Sequence, residues 1–286
     1  MIALRTLPAF IKRDFLIEAS YRTSFVMQAV GIFFSILIWY FVSRVVNAPP
    51  STPGLEGMDY FSYVLLGLAL LHYLSSALVS FGSKVRSEQM TGTLEAMLVT
   101  PTSIGTIVLG SSLWDFLLTS IKVLAYLVIG RLFFGVIIHL ENLLPALVVI
   151  GLTVLAFSGI GILSAAFVLY LKRGDPITYL VASGSALFGG VFYPPEDMPW
   201  LGGWSRLLPT TYALRALRRS LLRGSRFSEI VPDVEALLLF VAILLPLGII
   251  AFRFAVRKAR QEGSLVWCWL GTLRGTRFVD TPRTVC

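Results

Sequence analysis

Long apolar runs alternate with short polar stretches along most of this chain of 286 residues. A helix needs about 20 predominantly apolar residues to cross the hydrocarbon core of a bilayer. The runs predict six transmembrane helices, at about residues 24–46, 60–83, 104–138, 143–171, 177–191 and 234–256. The third run is longer than a bilayer requires, so part of it must tilt or lie outside the core. The fifth run is short.

Residues 3–22 show an amphipathic pattern instead of a continuous apolar run. Leu4, Leu7, Ile11 and Phe15 recur on one side, and basic residues occupy the others. This pattern predicts a helix that lies in the membrane interface on the basic, cytoplasmic side. The alternative is a plain helical extension of the first span.

The composition is that of an integral membrane protein. The chain is 56% hydrophobic and 14% charged, with a mean hydropathy of +0.79, and a soluble chain of this length has no way to bury so much apolar surface. The formal net charge is +8. In a membrane chain, basic residues act as topology signals and headgroup contacts more than as a nucleic-acid surface.

The distribution of lysine and arginine predicts the topology. Basic residues of the short connections fall near the N-terminus and at 84–86, 172–173 and 253–260. The connections at 47–59 and 139–142 contain none. Because cytoplasmic loops carry the excess of lysine and arginine, both termini are expected in the cytoplasm.

The segment 84–103 is too charged to lie within hydrocarbon, and it contains the pattern of a two-turn amphipathic helix. Thr93 can act as the N-cap, and Glu95 then meets the positive end of the helix dipole. Gly92 weakens any helix that runs in from residue 84, and Pro101 ends the new one. The apolar face consists of Leu94, Met97 and Leu98. Such a helix suits docking into a groove on a soluble partner; the alternative is an ordinary cytoplasmic loop.

Glycine and proline interrupt the chain repeatedly between residues 188 and 209. Irregular backbone at membrane depth is tolerated only where protein or a water-filled cavity surrounds it. The segment is therefore a candidate external gate, formed by Gly189, Gly190, Pro194, Pro195 and Trp200.

A further helix is predicted after this segment, capped by Thr210 or Thr211 and closed by Gly224. One stripe of this helix is apolar and another is basic; the two stripes contain Leu214, Leu217 and Leu221, and Arg215, Arg218 and Arg219. Six-span topology places these arginines outside, against the charge rule. They either snorkel to headgroups or have a specific role.

Two ionisable residues, Asp115 and Lys122, interrupt the third apolar run. They are seven residues apart, hence on one helix face, and intramembrane ionisable groups often mark a pathway. The alternative places Asp115 at the interface and Lys122 one turn deeper, where it can snorkel. His72 and His139 are isolated in the sequence, and no grouping of Cys, His, Asp or Glu has metal-ligand spacing.

The segment around 84–103 resembles the cytoplasmic segment of ABC type-2 permeases, the membrane subunits of exporters powered by a separate ATP-binding-cassette protein. The similarity rests on Glu88, Thr91-Gly92-Thr93-Leu94-Glu95, Leu98 and Thr100-Pro101. The stretches 189–200 and 208–213, with Leu217-Arg218, resemble the external region of the same permeases. The resemblance covers about residues 5–260. It implies that 84–103 holds the coupling helix that contacts the ATPase, through Glu88, Gly92, Thr93, Leu94, Glu95, Leu98 and Pro101.

The expected fold is an all-α membrane protein with six transmembrane helices. An N-terminal interfacial helix, a cytoplasmic coupling helix and external re-entrant helices between spans five and six complete it. Residues 1–260 would form the ABC type-2 transmembrane domain and 261–286 a cytoplasmic tail. The expected location is the cell (inner or plasma) membrane, crossed several times.

The expected function is that of an exporter permease subunit and not of an enzyme. The sequence has no Gly-x-x-x-x-Gly-Lys-Ser/Thr loop, so ATP and Mg²⁺ are expected in a separate ATPase chain, with no cofactor, metal or catalytic residue in this one. Six spans are few for an enclosed pathway, which favours a homodimer or a heterodimer with a similar permease. The alternatives are an ion-coupled carrier, a non-transporting membrane partner and a membrane-embedded enzyme. Drug-like, lipid-linked and polysaccharide substrates all remain open.

Overall fold

The computed structural model describes residues 12, 15–16, 20, 22–46, 55, 57–90, 104–171, 176–194 and 203–261. Over these ranges the secondary structure is helical, without a strand, as the sequence predicts. The helices are α1 (Arg22–Val46), α2 (Tyr60–Met90), α3 (Ile104–Phe134), α4 (Leu143–Leu171), α5 (Pro176–Phe188), α6 (Pro209–Leu221) and α7 (Phe227–Gln261), with a 3₁₀ turn at Leu140–Asn142 before α4. The predicted interfacial helix at 3–22 and the tail at 261–286 lie almost entirely outside the described residues.

Five of these helices are long and apolar enough to cross a membrane. The apolar stretches are Val26–Val46, Tyr60–Ser83, Ser112–Phe134, Leu140–Leu169 and Phe227–Lys258. The predicted fifth span, 177–191, corresponds to α5, which has 13 residues. Such a helix rises about 20 Å, whereas the hydrocarbon core is about 30 Å thick. The helix α5 alone is therefore too short to span.

The third helix ends earlier than the apolar pattern suggests. The apolar run was predicted to continue as helix to residue 138, but α3 stops at Phe134. Gly135 follows with a φ of +71°, in the left-handed region that glycine enters without a steric penalty. The chain turns there, and the Val136 amide donates to the Gly130 carbonyl at 3.1 Å. An apolar run does not show where the backbone reverses, so this boundary was missed.

Helix α2 lies at the centre of the bundle. Most of its apolar stretch is buried, with α3 and α4 against its sides and α5 and α6 also touching it. Helix α7 packs along α4, where Gly159 and Gly248 let the two backbones approach. A Cβ atom on Gly248 would lie 2.3 Å from the Gly159 carbonyl oxygen, which shows how close the helices are. Small residues permit such contact between membrane helices.

Aromatic rings mark one end of the bundle, which we call the aromatic end. The ring of Phe61, at the start of α2, lies 5.4 Å from Tyr40 on α1 and 5.2 Å from Phe134 on α3. These three helix ends are therefore level with one another. Helix α2 has 31 residues and rises about 45 Å, so Met90 lies at the opposite end.

Candidate functional site

Helix α6 lies buried at the aromatic end. Its apolar stripe, which was predicted from the spacing of Leu214, Leu217 and Leu221, is at most 3% exposed. The helix begins at Pro209, preceded by Leu208 in extended conformation and without a side-chain cap. The prediction that Thr210 or Thr211 caps this helix is therefore wrong. Proline at the first position needs no N–H partner, which makes a capping side chain less necessary.

The C-terminal end of α6 is tied to the turn before α4. The His139 amide donates to the Leu221 carbonyl at 2.8 Å, and Asn142 Nδ2 donates to the Ser220 carbonyl at 3.3 Å. The Ser220 hydroxyl donates back to the Asn142 carbonyl at 3.1 Å. Past the helix end, Gly224 has a φ of +67° and redirects the chain into α7. These bonds keep α6 at a fixed height in the bundle.

The chain breaks sharply after α5, at the predicted glycine pair. Gly190 has a φ of +78°, and Gly189 is so close to α6 that a Cβ there would lie 2.9 Å from the Thr210 Cβ. Beyond the break, the ring of Phe192 stacks on Trp39 of α1 at 4.6 Å. The backbone leaves the helix between α1, α2 and α6, so protein surrounds it on several sides.

Arg218 of α6 joins this break to α2. Its side chain is 5% exposed, and its guanidinium donates to the carbonyls of Gly190 at 2.9 Å and Val191 at 3.1 Å. It also donates to the Tyr63 carbonyl at 3.0 Å and lies over the Tyr63 ring, 3.2 Å from its centroid. The Tyr63 hydroxyl donates to the same Gly190 carbonyl at 3.0 Å. We call this arrangement, formed by Arg218, Tyr63, Gly190 and Val191, the arginine clamp.

A glycine on α2 makes room for the arginine clamp. A Cβ on Gly67 would lie 2.5 Å from the Val191 carbonyl oxygen and 3.3 Å from the Arg218 guanidinium. Any larger residue would displace the carbonyl that the arginine binds. Gly67 therefore contributes to the clamp because it has no side chain.

The other arginines of α6 are only partly buried. Arg215 forms an ion pair with Asp233 of α7, in which Arg215 Nε donates to Asp233 Oδ1 at 2.8 Å. Asp233 is 1% exposed, so the pair fixes α6 against α7 from within the protein. The interpretation in which the basic stripe snorkels to headgroups is therefore wrong for Arg218 and does not describe Arg215. Sequence periodicity placed these arginines on one face without revealing their partners.

Of the remaining predicted gate residues, the structure describes only Pro194, just beyond the arginine clamp. Pro194 is buried, while Pro195 and Trp200 lie outside the described residues. Tyr193 donates its hydroxyl hydrogen to the Leu187 carbonyl.

Asp115 and Lys122 lie on one face of α3 but are not brought together. Asp115 Oδ2 accepts from the Ser80 hydroxyl of α2 at 2.6 Å. Along α3, Asp115 is about 28 Å from Phe134 and Lys122 about 18 Å. In a core of about 30 Å that begins at the aromatic end, Asp115 reaches the far boundary and Lys122 lies near mid-depth.

Further polar pairs join α2 to α3 nearer the aromatic end than Asp115. The Tyr73 hydroxyl donates to the Ser120 hydroxyl at 2.8 Å, and His72 Nε2 hydrogen-bonds with the Tyr126 hydroxyl at 3.0 Å. His72 looks isolated in the sequence because its partner lies 54 positions away on another helix. Together with Ser80 and Asp115, these pairs form a polar seam inside the bundle.

The candidate coupling residues lie mostly outside the described part of the chain. Glu88 belongs to the last turn of α2, which ends at Met90. Gly92, Thr93, Leu94, Glu95, Leu98 and Pro101 all fall between the described ends of α2 and α3. Among the residues that are described, no group of three or more His, Cys, Asp or Glu could hold a metal ion.

The comparison with protein families agrees with the helical bundle and its membrane-spanning helices. The model of the ABC-2 type transporter membrane domain matches residues 7–222, which is most of the 286 residues. The match includes the segment 84–103, the glycine break and the arginine clamp. No curated protein matches the chain. The resemblance inferred from the sequence is confirmed: the chain belongs to the ABC-2 type transporter family, as a membrane permease.

Proposed function

We propose that this chain is the membrane-spanning permease subunit of an ATP-driven exporter. Two copies, or this chain and a similar permease, would form the translocation path. A separate ATPase would bind ATP and Mg²⁺ and contact the chain through residues 84–103. The family match over residues 7–222 supports the permease assignment.

The observation that carries the coupling proposal is the length of α2 at the end away from the aromatic rings. Helix α2 continues past Ser83 to Met90, which adds about 10 Å. These last turns contain Lys84, Arg86 and Glu88, which make them too charged to lie within hydrocarbon. The projecting helix would hold the segment that follows it beyond the hydrocarbon, within reach of a soluble partner.

We further propose six membrane crossings, with the aromatic end outside and both termini in the cytoplasm. Helix α5 begins beside Leu78 of α2, whose carbonyl accepts from the Thr178 hydroxyl at 3.4 Å. It ends beside Tyr63, about 22 Å further along α2. The irregular segment 189–194 extends this path toward the aromatic end. Helix and segment together would make the fifth crossing, in the cell membrane.

The same segment is the proposed external gate, and α6 the proposed re-entrant helix beside it. A gate needs backbone that bends differently in two states, and the left-handed Gly190 supplies such a point. The arginine clamp would hold the closed arrangement until substrate and ATP change it.

The coupling proposal is tested by copurification of the chain with its ATPase and by transport into vesicles. Glu95→Lys and Leu98→Asp each alter the predicted docking face, so each should lower ATPase affinity about tenfold, as expected for one buried interface anchor. Membrane insertion should persist. Ala96→Lys, on the opposite side of the predicted helix, is the matched control and should bind normally. Wild-type affinity and coupled transport in both docking variants would refute the assignment of residues 84–103.

A further inference from the structure

A cavity of about 620 Å³ opens at the aromatic end, apart from the arginine clamp and the polar seam. Four parts of the chain that are distant in sequence line it: the end of α1, the start of α2, the turn after α3 and the end of α6. The lining residues that the argument uses are Tyr40, Arg44, Asp59, Phe61, Phe134 and Arg223. A volume between about 300 and 1,000 Å³ is typical of sites for small organic ligands.

One part of the cavity wall is apolar. Phe61 is 4% exposed, and its ring lies against those of Tyr40 and Phe134. Met58 and Val136 continue this part of the wall and are also buried. Ile137, which also lines the cavity, presents an exposed apolar side chain. An acyl or glycerol moiety would find apolar contact here.

The rim of the cavity is polar. Among the described residues that line it, two are arginines, Arg44 and Arg223, and one is a carboxylate, Asp59. Asp59 Oδ2 accepts from the amides of Phe61 at 3.1 Å and Ser62 at 3.4 Å, so it caps the first turn of α2. One carboxylate can balance only one of the two arginine charges on this part of the rim.

Arg44 is held in place at the rim. Its guanidinium donates to the Tyr40 hydroxyl at 2.9 Å and lies over the same ring, 5.2 Å from the centroid. A guanidinium has five N–H donors, and this single bond leaves donors for an anionic ligand. Planar guanidinium groups are well suited to bind phosphate with two parallel hydrogen bonds.

We propose that this cavity binds an anionic phospholipid from the leaflet at the aromatic end. The phosphate lies between Arg44 and Arg223, and the glycerol and upper acyl carbons lie against Phe61 and Phe134. The level of the aromatic rings is that of the membrane interface, where lipid phosphates are found. Lipid binding at this site needs neither the ATPase nor the transported substrate. A failed test of the site would therefore leave the proposed function intact, and the reverse also holds.

The test uses the full-length chain, purified from a bilayer that contains equal amounts of phosphatidylglycerol and phosphatidylcholine with the same acyl chains. Native mass spectrometry counts the lipids that each chain retains. Wild-type protein should retain phosphatidylglycerol in preference to phosphatidylcholine. Arg44→Gln combined with Arg223→Gln should reduce this preference about tenfold, because the charge-assisted bonds to phosphate are lost. Equal retention by this variant and the wild type would overturn the site.

A matched control removes two arginines outside the cavity. Arg206 and Arg226 are exposed and do not line it, so Arg206→Gln combined with Arg226→Gln should keep the preference. An equal loss in both double variants would show general surface attraction and refute a specific site. If the cavity variant does not fold, Ser62→Phe fills the cavity while keeping both arginines. It should also abolish the preference, and a preference that survives in this variant overturns the proposal.

A competition experiment distinguishes a lipid site from a site for free phosphate esters. Soluble glycerol 3-phosphate carries the same phosphate group without acyl chains. It should displace little phosphatidylglycerol at equal concentration, since it cannot use the apolar wall. Complete displacement would overturn the assignment of a lipid and indicate a small soluble anion instead.

Discussion

Arg218 supplies hydrogen-bond donors at a place where neither water nor lipid can. The carbonyls of Gly190 and Val191 follow the end of α5, where the helix no longer provides partners for them. An unsatisfied carbonyl in an apolar environment is costly, and hydrocarbon offers no donor. One guanidinium satisfies both carbonyls and a third, on Tyr63. The arginine therefore stabilises the break more than it marks a membrane surface.

We expect Arg218→Lys to destabilise the protein although the charge is kept. A lysine ammonium is a compact point charge and cannot reproduce the planar fork that reaches three carbonyls. The free energy of unfolding should fall by about 3 kcal/mol, the range observed when a buried charged network is broken. Thermal unfolding of the purified protein in detergent measures this as a lower midpoint.

The control for that experiment is Arg206→Lys, an exposed arginine on the approach to α6. Its unfolding midpoint should match the wild type, since surface substitutions usually have small effects. If Arg218→Lys and Arg206→Lys unfold at the same temperature, the arginine clamp does not stabilise the fold.

The sequence predicted which stripe of α6 is apolar, but it did not predict what the polar side chains bind. The apolar spacing of α6 predicted that Leu214 and Leu217 share one stripe, and the structure buries this stripe. The same repeat says nothing of what Arg218 binds, since the Tyr63 carbonyl lies 155 residues away. Backbone carbonyls are present at every residue and leave no mark in a sequence. The pairing of His72 with Tyr126 was missed for the same reason.

Among the helices, α5 has the most unusual position, because it stops within the bundle and continues as irregular chain. Two successive positions require glycine there, each for a different structural reason. Gly190 adopts a left-handed conformation, and Gly189 allows α6 to come close. The element is therefore a short helix whose end is shaped by its neighbour.

Replacing both glycines by leucine should reduce transport while the ATPase still binds. A non-glycine residue at Gly190 would be strained by about 1–2 kcal/mol, and a side chain at Gly189 would collide with Thr210. The gate segment would be displaced, whereas the proposed ATPase contact would lie on the other side of the hydrocarbon core, some 30 Å away. Transport in vesicles and copurification with the ATPase measure the two effects separately.

Gly184→Leu provides the comparison within the same helix. A Cβ on Gly184 meets nothing within 4 Å, so this variant should transport normally. Equal transport by the double variant and by Gly184→Leu would mean that the segment has no gating role.

Helix boundaries show the limit of hydropathy as a guide. The predicted fourth span, 143–171, coincides with α4, because polar residues flank that apolar run on both sides. Helix α7 begins at Phe227, seven positions before the predicted span, because its first turns are polar and amphipathic. Hydropathy detects the part of a helix that suits lipid and not the helix itself.

The positive-inside rule predicts few arginines at an external end, and the bundle shows how several of the arginines at the aromatic end are used within the protein. Several arginines fall at the aromatic end, which the loops without lysine or arginine predict to be external. Arg131 donates to the Ile138 carbonyl at 3.3 Å, Arg215 pairs with Asp233, and Arg218 lies in the arginine clamp. Charges engaged within the protein differ from the free loop charges on which the positive-inside rule is based.

The topology is testable with single cysteines in a chain whose Cys268 and Cys286 are replaced by serine. Thr52→Cys and Glu141→Cys should react with a membrane-impermeant maleimide in intact cells. Glu141 is exposed and is a better site than its neighbour Asn142, whose amide holds two carbonyls of the α6 end.

Cysteines at Ser87 and Gly174 should react only after the membrane is permeabilised. They lie in the connections that carry basic residues, on the opposite side of the predicted bilayer. Labelling of Ser87→Cys in intact cells would contradict both the topology and the coupling proposal.

The arginine clamp also has a consequence for biosynthesis. The carbonyls of Val191 and Gly190 are made 27 and 28 residues before the arginine that binds them, and the Tyr63 carbonyl 155 residues before it. At roughly 5–20 residues per second, Tyr63 waits about 8–30 s on the ribosome for its partner. Until then the carbonyls at the break after α5 lack the guanidinium that binds them, and the insertion machinery or water must shield the Val191 carbonyl. A nascent chain that ends before residue 218 would therefore expose a defect that membrane quality-control proteases can recognise.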